Sequence, residues 1–208
     1  TGNIQQHSRQ VPCISILFTM RHKYETRGIV LSRLPLGEAN AFITLLTPEL
    51  GLVRVRAQGI RMPGAKLASA LATFAESSLV LVRGREGWRL AGAVLEENWF
   101  KRLERVDARR RAARVSGLLL RLVAGEAHDS SLFPIVRGFL EALSMFPEEI
   151  HEAAEVLAAL RMLAALGLDG GNIPGEAAVF TESLLAESVR NRAEYIARIN
   201  HGIAASGL

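Results

Sequence analysis

The sequence predicts an α+β protein of two domains, a five-stranded OB-fold barrel followed by an all-helical domain. Three observations lead to this prediction. From Glu25 to the segment GWRLAGAVLEE, apolar and polar residues alternate with a period of two, as in strands with one buried face. From about Leu103 the apolar period is 3.6 residues, as in amphipathic helices. The chain has 208 residues, 49% of them hydrophobic, which is enough to bury the cores of both domains.

Five short segments carry the strand pattern, and turn-forming residues separate them. They are ETRGIVLSR, ANAFITLLT, GLVRVRAQG, ESSLVLVRG and GWRLAGAVLEE. A short helix is expected at Leu67 to Leu71, and residues 83–87 suit a hairpin between the last two strands. We expect five antiparallel strands in the plan of an OB-fold, although an SH3-like barrel fits the periodicity almost as well.

Four helices are predicted to pack as a bundle behind the barrel. Their limits are set by caps and helix breakers: the first follows Leu103, the second begins at residue 130 or 131, the third lies between Pro147 and Gly167, and one final helix begins near Thr181. The segment LDGGNIPGE is expected to be a loop.

These patterns divide the chain into a barrel over residues 21–100 and a helical domain over residues 101–208. Residues 1–20 are polar and aperiodic and then briefly apolar, and we expect them to be a disordered extension. Met20 stands directly before the first patterned segment and is a candidate start of the natural chain.

The charge of the chain is unevenly distributed. The formal net charge is +4, but residues 1–114 hold 19 basic and 9 acidic side chains, whereas residues 115–208 hold 6 and 12. A basic front half suggests a polyanionic partner, and an acidic back half suggests a different role. An arginine-rich surface that is merely solvated remains the alternative.

The third predicted strand shows where the basic residues lie. Val53 and Val55 point to one side of it, and Arg54 and Arg56 point to the other, so one face is core and one is cationic. The other basic clusters are Arg61 and Lys66 in the following loop, Arg83, Arg85 and Arg89 around the hairpin, and Arg102, Arg105 and Arg109 on one helix face.

Several classes of site are excluded or disfavoured by composition and spacing. The segment GIRMPGAKL follows a strand as a phosphate-binding P-loop does, but Ala65 and Leu67 break the required Gly-Lys-Ser/Thr. Five scattered histidines and the single Cys13 provide no zinc site or disulfide framework. The basic half offers no clustered carboxylates for a metal-dependent nuclease. We therefore expect a protein without enzymatic activity, and we expect Trp88 and Trp99 to be core or interface residues.

The remaining properties suggest a location. One cysteine in the whole chain is consistent with a reducing cytosol. No apolar run approaches the length of about 20 residues needed to cross a bilayer, so we expect a soluble protein without a membrane partner.

The barrel segment also carries a series of motifs in a characteristic order. They are Gly37-Glu38-Ala39, Thr47-Pro48-Glu49-x-Gly51 and Ala57-x-Gly59-x-Arg61, followed by Leu-rich helices. With this series the chain resembles the RecO family of DNA repair proteins over residues 25–168. No single motif is specific, but the order of the series is.

The resemblance implies an OB-fold and a helical domain that bind single- and double-stranded DNA and anneal complementary strands without ATP. It also implies work with RecR and single-strand binding protein to load RecA, in the cytoplasm at the nucleoid. Many members carry a four-cysteine zinc module after the third helix of the C-terminal domain. The corresponding segment here, LDGGNIPGEAAVFTESLL, has no cysteine, and no cofactor is expected.

The resemblance also assigns candidate sites. DNA phosphates are predicted to contact Arg54, Arg56, Arg61 and Lys66 first, and Arg83, Arg85, Arg102, Arg105 and Arg109 second. A pocket for the acidic tail of single-strand binding protein is predicted around Arg121, Arg137 and Arg161, the only basic residues of the acidic half before the last helix. The alternative function is a protein adaptor whose basic barrel face binds an acidic protein.

Overall fold

The N-terminal part of the chain is a closed five-stranded barrel. The computed structural model describes residues 23–62, 64–65, 67–123, 125 and 129–207, so the expected extension over residues 1–20 lies outside the described residues. The strands are β1 (Lys23–Leu36), β2 (Asn40–Thr47), β3 (Gly51–Ala57), β4 (Ala75–Gly84) and β5 (Gly87–Asn98). They follow one another around the barrel in the order β1-β2-β3-β5-β4, which is the OB-fold arrangement and not that of an SH3-like barrel.

β1 closes the barrel because it is long enough to pair on two sides. Its first half, Lys23–Ile29, pairs with β4, and its second half, Ile29–Leu36, pairs with β2. The register shifts between Val30 and Ser32, and such a bulge bends the strand around the barrel.

Two sequence-based expectations for the barrel are wrong. β3 and β5 pair in parallel, through Val55 and Trp88. All other neighbouring strands are antiparallel, so β3 and β5 run in the same direction where they meet and close the barrel. The expected helix at Leu67 to Leu71 is a series of turns with one helix-like hydrogen bond, from Leu71 N to Leu67 O at 3.1 Å. A segment this short forms too few bonds to offset helix nucleation.

The helical part is built around one central helix. The helices are α1 (Trp99–Arg102), α2 (Val106–Leu122), α3 (Leu132–Met145), α4 (His151–Ala165), α5 (Glu182–Arg190) and α6 (Arg192–Ala205), with a 3-10 turn at Glu148–Ile150. α4 is buried on nearly all sides and contacts α2, α3, α5 and α6. The expected loop after it is confirmed over residues 166–181.

The last helix was expected to be continuous, and this is wrong. The helix is interrupted at Asn191, which is the C-cap of α5 and the N-cap of α6. The two helices pack against different apolar clusters. Leu185 of α5 belongs to the large cluster around α3 and α4, whereas Tyr195 of α6 packs on Val156 and Leu160. The break lets each helix follow its own contact.

The barrel and the helices share one apolar cluster. Ile29, Leu46 and Phe74 of the barrel belong to the same cluster as Phe139 of α3 and Leu157 of α4. Trp99 at the junction is 1% exposed, and Trp88 in the barrel is 6% exposed. The expectation that both tryptophans are core or interface residues is therefore confirmed, whereas the domain limits 21–100 and 101–208 stay predictions.

Candidate nucleic-acid interface

Arg54 and Arg56 lie on the outer side of β3. Val55 lies between them in sequence and Val53 precedes them, and both valines are fully buried in the barrel. Because side chains alternate along a strand, both arginine side chains point outward. Arg54 is exposed and Arg56 is half-buried. The strand places their Cα atoms about 6.8 Å apart.

Neighbouring strands extend this surface in both directions. Arg56 lies opposite Phe42 of β2 and opposite Arg89 of β5, and Phe42 in turn lies opposite Leu34 of β1. Directly opposite residues share a face of the sheet. We call Leu34, Phe42, Arg54, Arg56 and Arg89 the barrel face.

Within the barrel face, Arg54 is stacked on an aromatic ring. Its guanidinium carbon lies over Phe42 at 4.2 Å from the ring centroid, which is a cation-π contact. Arg56 differs, because its Nε is buried without a hydrogen-bond partner in the described part of the chain. This nitrogen is enclosed by the protein, so an external anion would have to contact the rest of the half-buried Arg56 side chain.

The loop after β3 holds Arg61 next to the turn between β1 and β2. The Arg61 Nη1 donates to the carbonyl oxygen of Gly37, and the Arg61 backbone N donates to Ala39 O at 3.1 Å. The side chain is exposed but ties two loops together. Lys66, predicted with it, lies outside the described residues.

The hairpin between β4 and β5 carries two further predicted residues. The Arg83 guanidinium lies over Trp88 at 5.0 Å from the ring centroid. Arg85 is exposed in the turn itself. Both are therefore at one end of the barrel, beyond Arg89.

The predicted residues of the first helices have carboxylate or carbonyl partners. Arg102 forms an ion pair with Glu97 at 3.2 Å, and Arg105 forms one with Glu148 at 2.6 Å. Arg109 donates from Nε to Phe100 O at 3.1 Å and lies over the Phe100 ring. By contrast, no ion pair within the described part of the chain involves Arg54, Arg56, Arg61, Arg85 or Arg89. The structure thus separates two sets of arginines that the sequence placed together.

The three arginines predicted to bind a partner lie in different surroundings. Arg121 is exposed near the end of α2. Arg137 faces the barrel and lies 3.3 Å from Glu76 and 3.5 Å from Glu141. Arg161 is 4% exposed, and its Nη atoms donate to the carbonyl oxygens of three loop residues, Pro174, Ala177 and Val179.

Three residues of the barrel face, Leu34, Phe42 and Arg89, were missing from the predicted site. Arg89 was recognised as a neighbour of the hairpin, but its position opposite Arg56 depends on the parallel pairing of β3 with β5. Phe42 gives one signal in the sequence, an aromatic residue at the outward position between Ala41 and Ile43, which are both buried. The strand register places Phe42 opposite Arg56, and the Arg54 side chain reaches the Phe42 ring diagonally.

The segment after α4 has no ligands for a four-cysteine zinc module. Residues 166–181 contain neither cysteine nor histidine. Across the described residues, no group of three or more His, Cys, Asp or Glu side chains is arranged to hold a metal ion. The helices that the structure describes also include none long and apolar enough to span a membrane.

The fold and the barrel face define a class of protein. It is an OB-fold barrel with arginine side chains and an aromatic ring on its outer surface. Residues 20–97 match the family model described as recombination protein O N terminal. The chain belongs to the RecO family.

Relatives named DNA repair protein RecO show the extent of the similarity. The chain is 31% identical to that of Rubrobacter xylanophilus over 166 residues, which cover 76% of this chain and 66% of the relative. It is 32% identical to that of Gloeobacter violaceus over 153 residues, 70% of this chain and 56% of the relative. For Acaryochloris marina the identity is 41% over 80 residues, 38% of this chain and 27% of the relative. The matches thus span from about a quarter to two thirds of the relatives' lengths.

Proposed function

We propose that this chain is a non-enzymatic recombination mediator that binds single- and double-stranded DNA through the barrel face. It anneals complementary strands without ATP and assists RecA loading during DNA repair. The observation that carries the proposal is that Arg54, Arg56 and Arg89 lie together on neighbouring strands without a carboxylate partner in the described part of the chain.

The electrostatics of the barrel face support an anionic polymer as its ligand. Arg56 and Arg89 are directly opposed across β3 and β5, and like charges in this arrangement repel each other. A phosphate placed between them would relieve that repulsion and accept hydrogen bonds from both. Each phosphate that is neutralised also releases condensed counterions, which favours binding without any sequence preference.

Annealing requires only that two negatively charged strands be brought together. A surface that neutralises phosphates of one strand lowers the repulsion felt by the other, and base pairing then supplies the free energy. No nucleotide is consumed in such a step. This agrees with the absence of a P-loop in the sequence, where Ala65 and Leu67 replace the required residues.

The partners proposed for the chain are RecR and the tail of single-strand binding protein, with the protein in the cytoplasm at the nucleoid. For the tail, Arg121 and Arg137 keep exposed side-chain surface, whereas Arg161 is bound to loop carbonyls. Calorimetry with the tail peptide should show weaker binding for Arg121→Ala and Arg137→Ala. Wild-type affinity in both variants would reject this pocket.

The DNA-binding proposal is tested by neutralising the barrel face. The variant Arg54→Gln/Arg56→Gln/Arg89→Gln should lose at least about tenfold in affinity for a random single strand and should anneal complementary strands more slowly. The matched control, Arg110→Gln/Arg121→Gln/Arg190→Gln, removes the same net charge from exposed arginines without ion pairs in the described part of the chain. Unchanged DNA binding in the first variant would contradict the proposal and leave the protein adaptor as the function.

A further inference from the structure

Phosphate binding explains the charges of the barrel face but not its apolar residues. Leu34 is 56% exposed on β1, and Phe42 beside it is half-buried. Together with Arg56 and Arg89 they form one row across four strands. An exposed leucine and an aromatic ring in the same row do not contribute to the binding of phosphates.

The faces of nucleic-acid bases are surfaces that exposed apolar and aromatic side chains can contact. In a duplex the base faces are stacked on each other, and the outside offers phosphates, sugars and base edges. In a single strand the faces are open, and they stack on aromatic rings and on guanidinium planes. The mixed apolar and cationic row therefore favours an unpaired strand.

We propose that Arg54, held over the ring of Phe42, is a stacking platform for an unpaired base, and that the barrel face prefers single-stranded nucleic acid for this reason. This inference rests on the proposed function and specifies the substrate of the same site. The ring covers one side of the Arg54 guanidinium, at 4.2 Å from the guanidinium carbon to the ring centroid. Arg54 is exposed, which leaves surface of its side chain for contact with a base.

The neighbours of the platform support this arrangement. Arg54 lies opposite Thr44, and the Thr44 Oγ1 accepts a hydrogen bond from Ser32 Oγ at 3.0 Å. No carboxylate among the described residues pairs with Arg54, so the guanidinium is not drawn away from the ring. Arg56, two residues further along β3, is placed to hold the phosphate while Arg54 holds the base.

The test uses substitutions that keep the charge and remove the stacking surface. Arg54→Lys retains the positive charge but has no planar group, and Phe42→Leu retains an apolar side chain but has no ring. The matched control is Arg110→Lys, at an exposed position of α2 for which no ring contact is found in the described part of the chain. Affinities for a single strand and for a duplex of the same length are measured by fluorescence anisotropy at several salt concentrations.

Loss of one base–platform contact corresponds to at least about a fivefold loss of affinity. We expect this loss for the single strand in both Arg54→Lys and Phe42→Leu. Duplex affinity, the slope of affinity against salt and the thermal unfolding midpoint should stay at wild-type values. Arg110→Lys should bind both substrates as the wild type does.

A single-strand affinity within fivefold of the wild type in either variant would overturn the inference, as would an equal loss for both substrates. This failure can be distinguished from failure of the proposed function. If the platform is wrong but the function is right, Arg54→Gln/Arg56→Gln/Arg89→Gln still loses DNA binding. If the function is wrong, that variant binds DNA normally as well.

Discussion

Arginine has two different roles in this chain, and the surroundings of each side chain decide which. Arg54, Arg56 and Arg89 face outward without carboxylate partners among the described residues. Arg161 and Arg198 instead hold the loop between α4 and α5, Arg161 through loop carbonyl oxygens and Arg198 through the Asp169 carboxylate and the carbonyl oxygen of Asn172. The first set is free to bind an external anion, whereas the second set is occupied by the protein itself.

Arg161 is an unusual structural residue because it is buried and has no carboxylate partner among the described residues. Burial lowers the pKa of Arg161 to about 10, so the side chain remains cationic at neutral pH. Its charge is met by the carbonyl oxygens of Pro174, Ala177 and Val179 and by the ring of Phe180, whose centroid lies 4.7 Å away. In this segment, side-chain hydrogen bonds from Arg161 hold the loop.

Replacing Arg161 should therefore loosen the loop. Arg161→Met keeps the apolar stem but leaves three carbonyl oxygens without their donor, and we expect a loss of about 1–3 kcal/mol in the free energy of unfolding. Urea titration measures the global loss, and hydrogen exchange of residues 168–181 measures the local one. Arg190→Met, at an exposed position of α5, is the control and should change neither. Wild-type exchange in Arg161→Met would contradict this role.

Because of the ion pair between Asp169 and Arg198, the free energy of unfolding should depend on pH in the acidic range. Hydrogen bonds from Arg198 hold the pKa of the Asp169 carboxyl below its ordinary value, and burial partly opposes this. A carboxyl with a lowered folded-state pKa stabilises above its unfolded pKa, which lies near 4, and this contribution is lost as the pH falls through the folded pKa.

Asp169→Asn should consequently be less stable than the wild type at pH 7, and the difference should shrink towards pH 3. Urea midpoints of both proteins at the two pH values measure it. Glu182→Gln, at an exposed position in α5, serves as the control. A difference between wild type and Asp169→Asn that is the same at both pH values would show that the ion pair contributes no stability.

At the scale of single elements, the sequence predicts a strand or helix correctly where the residues of that segment alone determine its structure. The alternation of Val53 to Arg56 predicts the faces of β3, and the caps and breakers predict α2, α3 and α4. The parallel pairing of β3 with β5 depends on where the hairpin returns, and no local pattern records that. The break at Asn191 likewise follows from two separate packing contacts, of Leu185 and of Tyr195.

Gly138 shows how one element depends on close contact with a distant loop. A Cβ at this position of α3 would lie 2.2 Å from the carbonyl oxygen of Ala178, which is backbone and cannot rotate away. We expect Gly138→Ala to lower the free energy of unfolding by about 1–3 kcal/mol. Gly117→Ala, in α2, meets nothing within 4 Å and should instead stabilise by about 0.5–1 kcal/mol.

Urea titrations of the two variants measure both effects. The pair shares the same chemical change within a helix, so a difference in sign reports the packing of the loop on α3. Equal stabilities of Gly138→Ala and Gly117→Ala would contradict this packing.

At the scale of the whole molecule, a buried acid connects the barrel to the helices. Glu76 of β4 is 3% exposed, and its Oε2 accepts from Trp99 Nε1 at 2.9 Å while Oε1 accepts from Arg137 Nε at 3.3 Å. The sequence around Glu76 suggests an ordinary solvent-facing strand position. Its partners are 23 and 61 residues away, so only the fold reveals the network.

Glu76→Leu should destabilise the junction between the two parts. The indole N–H of Trp99 would be buried without an acceptor, which costs about 1–3 kcal/mol. Tryptophan fluorescence and helix circular dichroism, followed in parallel during urea unfolding, measure the loss. Glu86→Leu, exposed in the hairpin, is the control, and a Glu76→Leu midpoint equal to that of the control would contradict the role of the network.

The charge division between the halves predicts which half contacts a polyanion but not which arginines are available. Arg102, Arg105 and Arg109 belong to the basic half by sequence, yet Arg105 is paired with Glu148, 43 residues away. Such long-range ion pairs lower the positive potential near the start of α2. The barrel face keeps its charge because its strand neighbours are hydroxyl, apolar and aromatic residues.

The most direct test of the account is the salt dependence of single-strand binding. If about five phosphates are neutralised, the slope of log affinity against log salt is about −3.5, and affinity falls roughly a hundredfold between 50 and 200 mM salt. Arg54→Gln/Arg56→Gln/Arg89→Gln removes the two phosphate contacts assigned to Arg56 and Arg89 and should reduce the slope to about −2.1. Arg110→Gln/Arg121→Gln/Arg190→Gln should keep the wild-type slope. Equal slopes in the two variants would show that the barrel face does not hold the DNA.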